Sequence, residues 1–265
     1  MGKLCEAYGY SRQGYYRRRV IAARRREEEE AVIEQVQRIR KRQPRVGGRK
    51  LQKMLRDHEV GIGRDRLFRV LRRRGLLVRR KKKYVRTTQS AHRFRVYKNL
   101  ILHEKAERAE RVYAADITYI DTMEGYCYLS LITDQYSRKI VGYALNKSLS
   151  IEGSVEALQM ALRRTKNPKA LIHHSDRGIQ YCSKGYTDLL KKKGVRISMT
   201  EENHVYENAL AERVNGILKE ELQLGEKLLS YSVAKKLVDE AVKIYNEERL
   251  HMSLDYVTPA QKHAA

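Results

Sequence analysis

The feature that most constrains this chain is a run of apolar or neutral residues, Leu171-Ile172-His173-His174-Ser175, that leads to Asp176 and is ended at once by Arg177-Gly178. A short buried strand stopping there would leave the carboxylate at a strand end, facing a cleft. Asp116, sixty positions earlier, lies inside the β-prone run Val112-Tyr113-Ala114-Ala115-Asp116-Ile117-Thr118-Tyr119-Ile120, and Glu212, thirty-six positions later, lies on a segment of helical periodicity. A lone carboxylate is costly to bury unless it is paired or bound to metal. Two strand acids and one helix acid converging on a cleft would hold a pair of divalent cations through oxygen ligands. Acidic residues are common, so the spacing alone says little, and the apolar settings of the aspartates carry the expectation.

The charge of the 265-residue chain is unevenly placed. Residues 1–110 hold 34 Lys+Arg against 12 Asp+Glu, whereas 111–265 hold 22 against 20, so nearly all of the net +24 is N-terminal. Such a region attracts a polyanion by releasing its counterions, which makes nucleic acid the expected partner. An anionic membrane fits less well, because the basic segments also carry Glu and lack a wide, aromatic-rich apolar face. No apolar run approaches the ~18 residues of a bilayer span, and Met1-Gly2-Lys3-Leu4-Cys5-Glu6 has no signal-peptide core. The expected location is cytoplasmic, associated with the nucleoid. Cys5, Cys127 and Cys182 fit neither a disulfide framework nor a zinc motif. His173 and His174, adjacent on a strand, would point to opposite faces and read as structural.

Along the chain, residues 1–44 read as a partial helix-turn-helix followed by a charged helix. A short helix, a turn at Gly9 and a second helix capped by Ser11 come first. A helical stretch over 21–43 follows, with Val32, Ile33, Val36 and Ile39 at helical spacing and the run from Arg24 to Glu30 expected as a solvated face. Pro44 ends it. Residues 45–78 read as a helix-turn-helix-like DNA-binding domain: Leu51, Met54 and Leu55 mark one helix, Gly61-Ile62-Gly63 a turn, and Leu67, Val70 and Leu71 another that Gly75 stops. Its second helix carries Arg64, Arg66, Arg69, Arg72, Arg73 and Arg74, suited to docking in a groove or gripping phosphates. Residues 79–110 form a basic linker, with Arg79, Arg80, Lys81 and Lys82 as further DNA-contact candidates, expected to order on nucleic acid.

From 111 to 225 the pattern changes to strands at 112–120, 126–133 and 139–145, a helix at 151–164, a strand at 171–175, a helix at 184–193, a strand at 195–199 and a helix at about 207–222. That order matches an α/β ribonuclease H-like architecture, a mixed sheet flanked by helices, here preceded by an all-α helix-turn-helix region. In such a sheet the first strand lies beside the fourth, which makes Asp116 and Asp176 neighbours. On the last helix Ala211, Val214, Ile217, Leu218 and Leu222 form an apolar stripe. Asn208, Glu212, Asn215 and Lys219 share the opposite face, expected to be exposed, with Asn215 and Lys219 as candidate DNA contacts. Residues 226–265 read as a C-terminal helix and tail.

Four ordered segments then point to a family: Asp116-Ile117-Thr118-Tyr119-Ile120, the run from Thr133 through Asp134 to Gly142, the run His174-Ser175-Asp176-Arg177-Gly178-Ile179-Gln180-Tyr181, and Glu207-Asn208-Ala209-Leu210-Ala211-Glu212. Together they resemble the integrase core of bacterial insertion-sequence transposases, retroviral-integrase-like, in the group encoded by two overlapping frames. The chain resembles the second-frame product, and the tail from Tyr245 to His251 with Ser253-Leu254 and Thr258-Pro259 is similar to that family's ending. The resemblance implies that Asp116, Asp176 and Glu212 are the catalytic and metal-binding acids, and that Asp134 is a turn residue and no ligand. The chain departs from the family in having no Trp, and in carrying Glu207-Asn208 where the family commonly has Asp-Asn.

The implied chemistry is metal-dependent cleavage and strand transfer at element ends, with two Mg²⁺ ions for which Mn²⁺ can substitute. It further implies double-stranded DNA partners (terminal inverted repeats and target DNA), a circular intermediate, a homo-oligomer on DNA, and an upstream-frame protein or fusion. The early Met1 before half a helix-turn-helix suggests a longer natural active form. A simple nuclease with the same core and a catalytically silent, domesticated DNA-binding protein are the rivals. The basic N-terminal region argues against the first and the intact acid triad against the second.

Overall fold

The computed structural model describes residues 5, 7–9, 11–78, 94–102, 106–201 and 209–265. These fall into two compact units, Met1–Arg79 and Arg80–Ala265. The candidates Arg79, Arg80, Lys81, Lys82, Glu207 and Asn208 lie outside the described residues.

In the first unit α1 (Arg12–Arg42) is one helix of 31 residues, where the sequence reads as two successive pieces. Ser11 caps it, its hydroxyl accepting from the Gly14 amide at 3.0 Å, and no Pro or interior Gly interrupts it before Gln43. The helix ends in Arg40, Lys41 and Arg42, cations that suit the negative end of the helix dipole. Val32, Val36 and Ile39 pack with Val46, with Leu51 and Leu55 of α2 (Gly48–Asp57), and with Leu67 and Leu71 of α3 (Arg64–Arg73). The expected boundary at 44/45 therefore falls within one shared core.

The acidic run of α1 is also more than a solvated face. Arg66 donates to Glu28 at 2.9 Å, Arg73 pairs with Glu29, and Arg74 pairs with Glu30. The Arg66 guanidinium holds the Glu28 carboxyl below its usual range. Arg64 pairs with its neighbour Asp65, while Arg69 and Arg72 are exposed.

The second unit is built on a five-stranded sheet in the order β3-β2-β1-β4-β5. Its strands are β1 (Val112–Thr122), β2 (Gly125–Asp134), β3 (Ile140–Asn146), β4 (Ile172–Ser175) and β5 (Arg196–Met199). The first three form an antiparallel meander, with Gly125 at φ +112° in the first turn, and β4 and β5 add in parallel on the other side of β1. Asp134 closes the second turn: its Oδ1 accepts from both the amide and the hydroxyl of Ser137 at 2.7 Å, and its Oδ2 from the Glu110 amide at 2.7 Å. It is fully buried in that role.

One face of the sheet is covered by α4 (Ile151–Arg164), with α5 (Ile179–Cys182) and α6 (Lys184–Lys192) beside it. Their core gathers Tyr113, Ala115, Ile132, Ala157, Leu158, Ala161, Tyr181 and Tyr186. The short α5 is absent from the sequence expectation. His173 and His174 are buried and structural: Tyr186 Oη lies 2.8 Å from His173 Nε2, and Ser198 Oγ lies 2.9 Å from His174 Nδ1. Burial holds the His173 imidazole down at about 3, so it stays neutral. The three cysteines are free and buried.

The other face is covered by α7 (Ala209–Glu220) and α8 (Tyr231–Glu247). Val214, Ile217 and Leu218 join Val238, Ala241, Val242 and Tyr245 against Ile120, Leu129 and Leu131. Helix α8 is thus part of the second unit's core, which runs across the expected division at 225/226. Asn246 clamps the start of β3, accepting from the Ile140 amide at 2.9 Å and donating to its carbonyl at 3.0 Å. Arg249 grips Glu221 with two bonds of 2.9 and 2.8 Å, and Thr258 with Gln261 forms a capping box on α9 (Pro259–Ala264).

Helix α4 lies so close to β3 that a Cβ added at Gly142 would stand 2.1 Å from the Ala157 carbonyl oxygen. Backbone cannot yield as a side chain can. Gly142→Ala should destabilise the unit by about 1–3 kcal/mol, read as a lower melting temperature. An unchanged melt would contradict this packing.

Candidate active site

The two aspartates are placed by strand pairing. In the parallel ladder Val112 pairs with Ile172, Tyr113 with His173 and Ala114 with His174. Carrying the same offset two residues further sets Asp116 level with Asp176. Strand β4 stops at Ser175, where the Thr200 amide takes the Ser175 carbonyl at 3.0 Å and Arg177 Nε donates to the Thr200 carbonyl at 2.7 Å. Asp176 Oδ1 then accepts from the Gly178 amide at 2.9 Å, a local turn that fixes the carboxylate. A Cβ on Gly178 would come within 2.9 Å of that same oxygen, so the glycine leaves room for it.

Asp116 is half-buried and held from two sides. Its Oδ1 accepts from the Ile117 amide at 3.0 Å, and its Oδ2 accepts from Asn215 Nδ2 of α7 at 2.7 Å. The bond to Asn215 ties the helix that carries Glu212 to the strand that carries Asp116. Glu212 is half-buried and lies one turn before Asn215, on the same face of the helix. Among the described residues no three His, Cys, Asp or Glu side chains come close enough to hold a metal ion. The structure thus brings both strands to within two residues of their aspartates and ties the Glu212 helix to Asp116, without drawing the three like-charged carboxylates into one cluster.

The face of α7 expected to be exposed is turned inward. Asn215 is only 8% exposed, and Lys219 is half-buried with its Nζ 3.9 Å from the centroid of the Tyr119 ring. Burial lowers the Lys219 pKa while the Asp116 charge opposes that shift. The reason is geometric: the apolar stripe at Val214, Ile217 and Leu218 seats the helix on the sheet, and the flank one step round meets the end of β1 instead of solvent.

Tyr181 was named by the sequence only as part of a motif, yet it lies beneath both aspartates. Burial, then Tyr186, Asp116 and Asp176, push its phenol well above the usual range. No periodicity signal could have found it, because its place depends on the short α5. Cysteine is no rival nucleophile here, since burial pushes the Cys182 thiol up to about 11.

Similar proteins place the chain in a family. Two models of the integrase core domain match, over residues 106–204 and 193–259. An uncharacterized 31 kDa protein of insertion element IS600 from Shigella sonnei is 36% identical over 262 residues, covering 97% of this chain and 96% of the relative. The transposase InsF for insertion sequence IS3A of Escherichia coli K12 is 35% identical over 193 residues, 72% of this chain and 67% of the relative. Among solved structures, a chain of the simian T-cell lymphotropic virus intasome in complex with PP2A regulatory subunit B56 gamma superposes with a TM-score of 0.51 at 17% identity. That likeness covers 81% of this chain and 70% of the other, and it bears on the fold alone. The chain belongs to the bacterial insertion-sequence transposases of the second-reading-frame type, enzymes built on a ribonuclease H-like integrase core.

Proposed function

We propose that Asp116, Asp176 and Glu212 are the catalytic carboxylates with which this transposase cuts an element end and joins the freed 3′-hydroxyl to target DNA. The observation that carries the assignment is the β1–β4 ladder ending at Ala114 and His174, two residues short of each aspartate, with Asn215 tying the Glu212 helix to Asp116.

The donor set fits a hard divalent cation, because it consists of carboxylate oxygens only. Asn215 Oδ1, on the side chain that donates to Asp116, is buried with no hydrogen-bond partner among the described residues, and a water of a hydrated cation would satisfy it. Asp116, Asp176 and Glu212 would hold Mg²⁺, as a pair of ions for which Mn²⁺ can substitute. When bound, such ions activate a water or a 3′-hydroxyl and stabilise the leaving oxygen of an in-line displacement at phosphorus.

The chain's own groups prepare that chemistry. Asn215 fixes the rotamer of Asp116, and the Gly178 amide fixes Asp176. Lys219 brings a positive charge beside Asp116, where a DNA phosphate would arrive. DNA gripping falls to the basic N-terminal region: Arg64, Arg66, Arg69, Arg72 and Arg73 on α3, with Arg79, Arg80, Lys81 and Lys82 after it. The partners are double-stranded terminal inverted repeats and target DNA, engaged by a homo-oligomer, with an upstream-frame protein or fusion as a further partner.

The test is Mg²⁺- or Mn²⁺-dependent cleavage and joining of a labelled element-end duplex. Asp116→Asn, Asp176→Asn and Glu212→Gln should each abolish both products while leaving duplex binding in place. Joining at wild-type rate by any of the three would remove that residue from the site, and DNA binding without reaction by the wild type, alone or fused, would favour the silent binder.

Asn215 gives a separate prediction as a positioning residue. Asn215→Ala should slow joining about 10–100-fold and raise the Mg²⁺ concentration needed for half-maximal rate, with the melting temperature nearly unchanged. A slower rate at an unaltered metal requirement would assign Asn215 to packing instead.

A further inference from the structure

Beyond the carboxylates, β1 runs on into a part of the sheet where one face carries exposed rings. Ile117 packs into the α4 core and Ser130, directly opposite it, lies 3.4 Å from Ser154 of α4. The same face then continues through Tyr119 and Tyr126, which the register places diagonally across β1 and β2. Their rings meet edge to face, 5.4 Å between centroids at 76°, and remain 47% and 57% exposed. Two large aromatic rings left open side by side are unusual on a sheet face that a helix otherwise covers.

Strand β4 pairs with β1 only as far as Ala114, and the next chain segment on that edge arrives at Asp121 and Met123, through the Leu228 amide and carbonyl at 2.9 Å each. Between these points Asn215 and Lys219 of α7 stand along β1, and the Lys219 ammonium caps the Tyr119 ring at 3.9 Å. Three strand residues separate Asp116 from Tyr119, ~10 Å, the axial rise of about three stacked nucleotides.

We propose that Tyr119 and Tyr126, braced by Lys219, form a stacking platform for a nucleobase of the DNA strand within about three nucleotides of the scissile phosphate. The occupant is argued from chemistry. An aromatic face beside a fixed ammonium, next to a phosphoryl-transfer centre, matches the alternating base and phosphate of a single strand drawn away from its complement. Tyr126, the more exposed ring, offers the stacking surface; Tyr119 sets its angle and is itself oriented by the cation. The inference rests on the catalytic assignment made above and adds to it where the strand lies.

The test uses the full chain and a terminal-repeat duplex in which 2-aminopurine replaces, one at a time, each of the last three bases beside the cleavage point. Ca²⁺ replaces Mg²⁺ so that binding is read without turnover. Wild type should quench the probe at one of these positions. Tyr126→Ala should abolish that quench and slow joining in Mg²⁺ by about 5- to 150-fold, with duplex affinity and melting temperature retained. Tyr126→Phe should keep both quench and rate, because a ring is needed and a hydroxyl is not.

Quench and joining at wild-type levels in both Tyr126→Ala and Tyr119→Ala would overturn the proposal. So would a loss in Tyr126→Phe as deep as in Tyr126→Ala, or a change in assembly size by Tyr126→Ala with the quench intact, which would make the patch a contact between copies. Stacking needs no chemistry, so Asp116→Asn should still quench. Failure of the platform and failure of the catalytic assignment are thereby distinguishable.

Discussion

The parallel pairing of β1 with β4 is the constraint on which the site depends. It runs to Ala114 and His174, two residues before Asp116 and Asp176, and β4 ends at Ser175, just before its aspartate. Side chains alternate along a strand, so a slip of one residue would turn Asp116 from the α7 face into the α4 core among Tyr113, Ala115 and Ile117. There a carboxylate would lose its hydrogen bond to Asn215 and face a desolvation cost. The apolar alternation that fills both cores is therefore also what aims Asp116.

The remaining elements hold this arrangement in place from further away. The apolar stripe of α7 fixes the rotation of the helix, and that rotation decides that Asn215, and not a neighbouring side chain, meets Asp116. Helix α8 backs α7 and the meander, Asn246 clamps the start of β3, and Arg249 grips Glu221 just beyond the end of α7. The tail motif that resembles the family's ending thus has a mechanical role: it buttresses the helix that carries Glu212. Rigid support behind half-buried Asp116 and Glu212 keeps each side chain in place.

Much of this was legible in the sequence because the strands are short, alternating and interrupted by clear turn residues. The strand order, the neighbouring aspartates and the turn role of Asp134 follow from such patterns together with the family resemblance. Periodicity could not show what lies beside the helix. It identified the buried stripe of α7 correctly and then assigned the flank of Asn215 and Lys219 to solvent, although that flank meets the end of β1. Similarly, the charges of Glu28, Glu29 and Glu30 were visible, but their pairing with Arg66, Arg73 and Arg74 joins positions about forty residues apart and depends on tertiary packing. The division of the N-terminal region at Pro44 failed for the same reason, since Val32, Val36 and Ile39 find their apolar partners only beyond it.

The central claim, that Asp116, Asp176 and Glu212 together hold divalent metal for phosphoryl transfer, is tested most directly by counting Mn²⁺ bound to the full chain on an element-end duplex by electron paramagnetic resonance. Wild type should bind Mn²⁺ tightly, Asp116→Asn, Asp176→Asn and Glu212→Gln should each weaken or lose that binding, and Asp188→Asn, at an exposed surface pair with Lys191, should leave it unchanged. Equal Mn²⁺ binding by wild type and the three site variants would contradict the account.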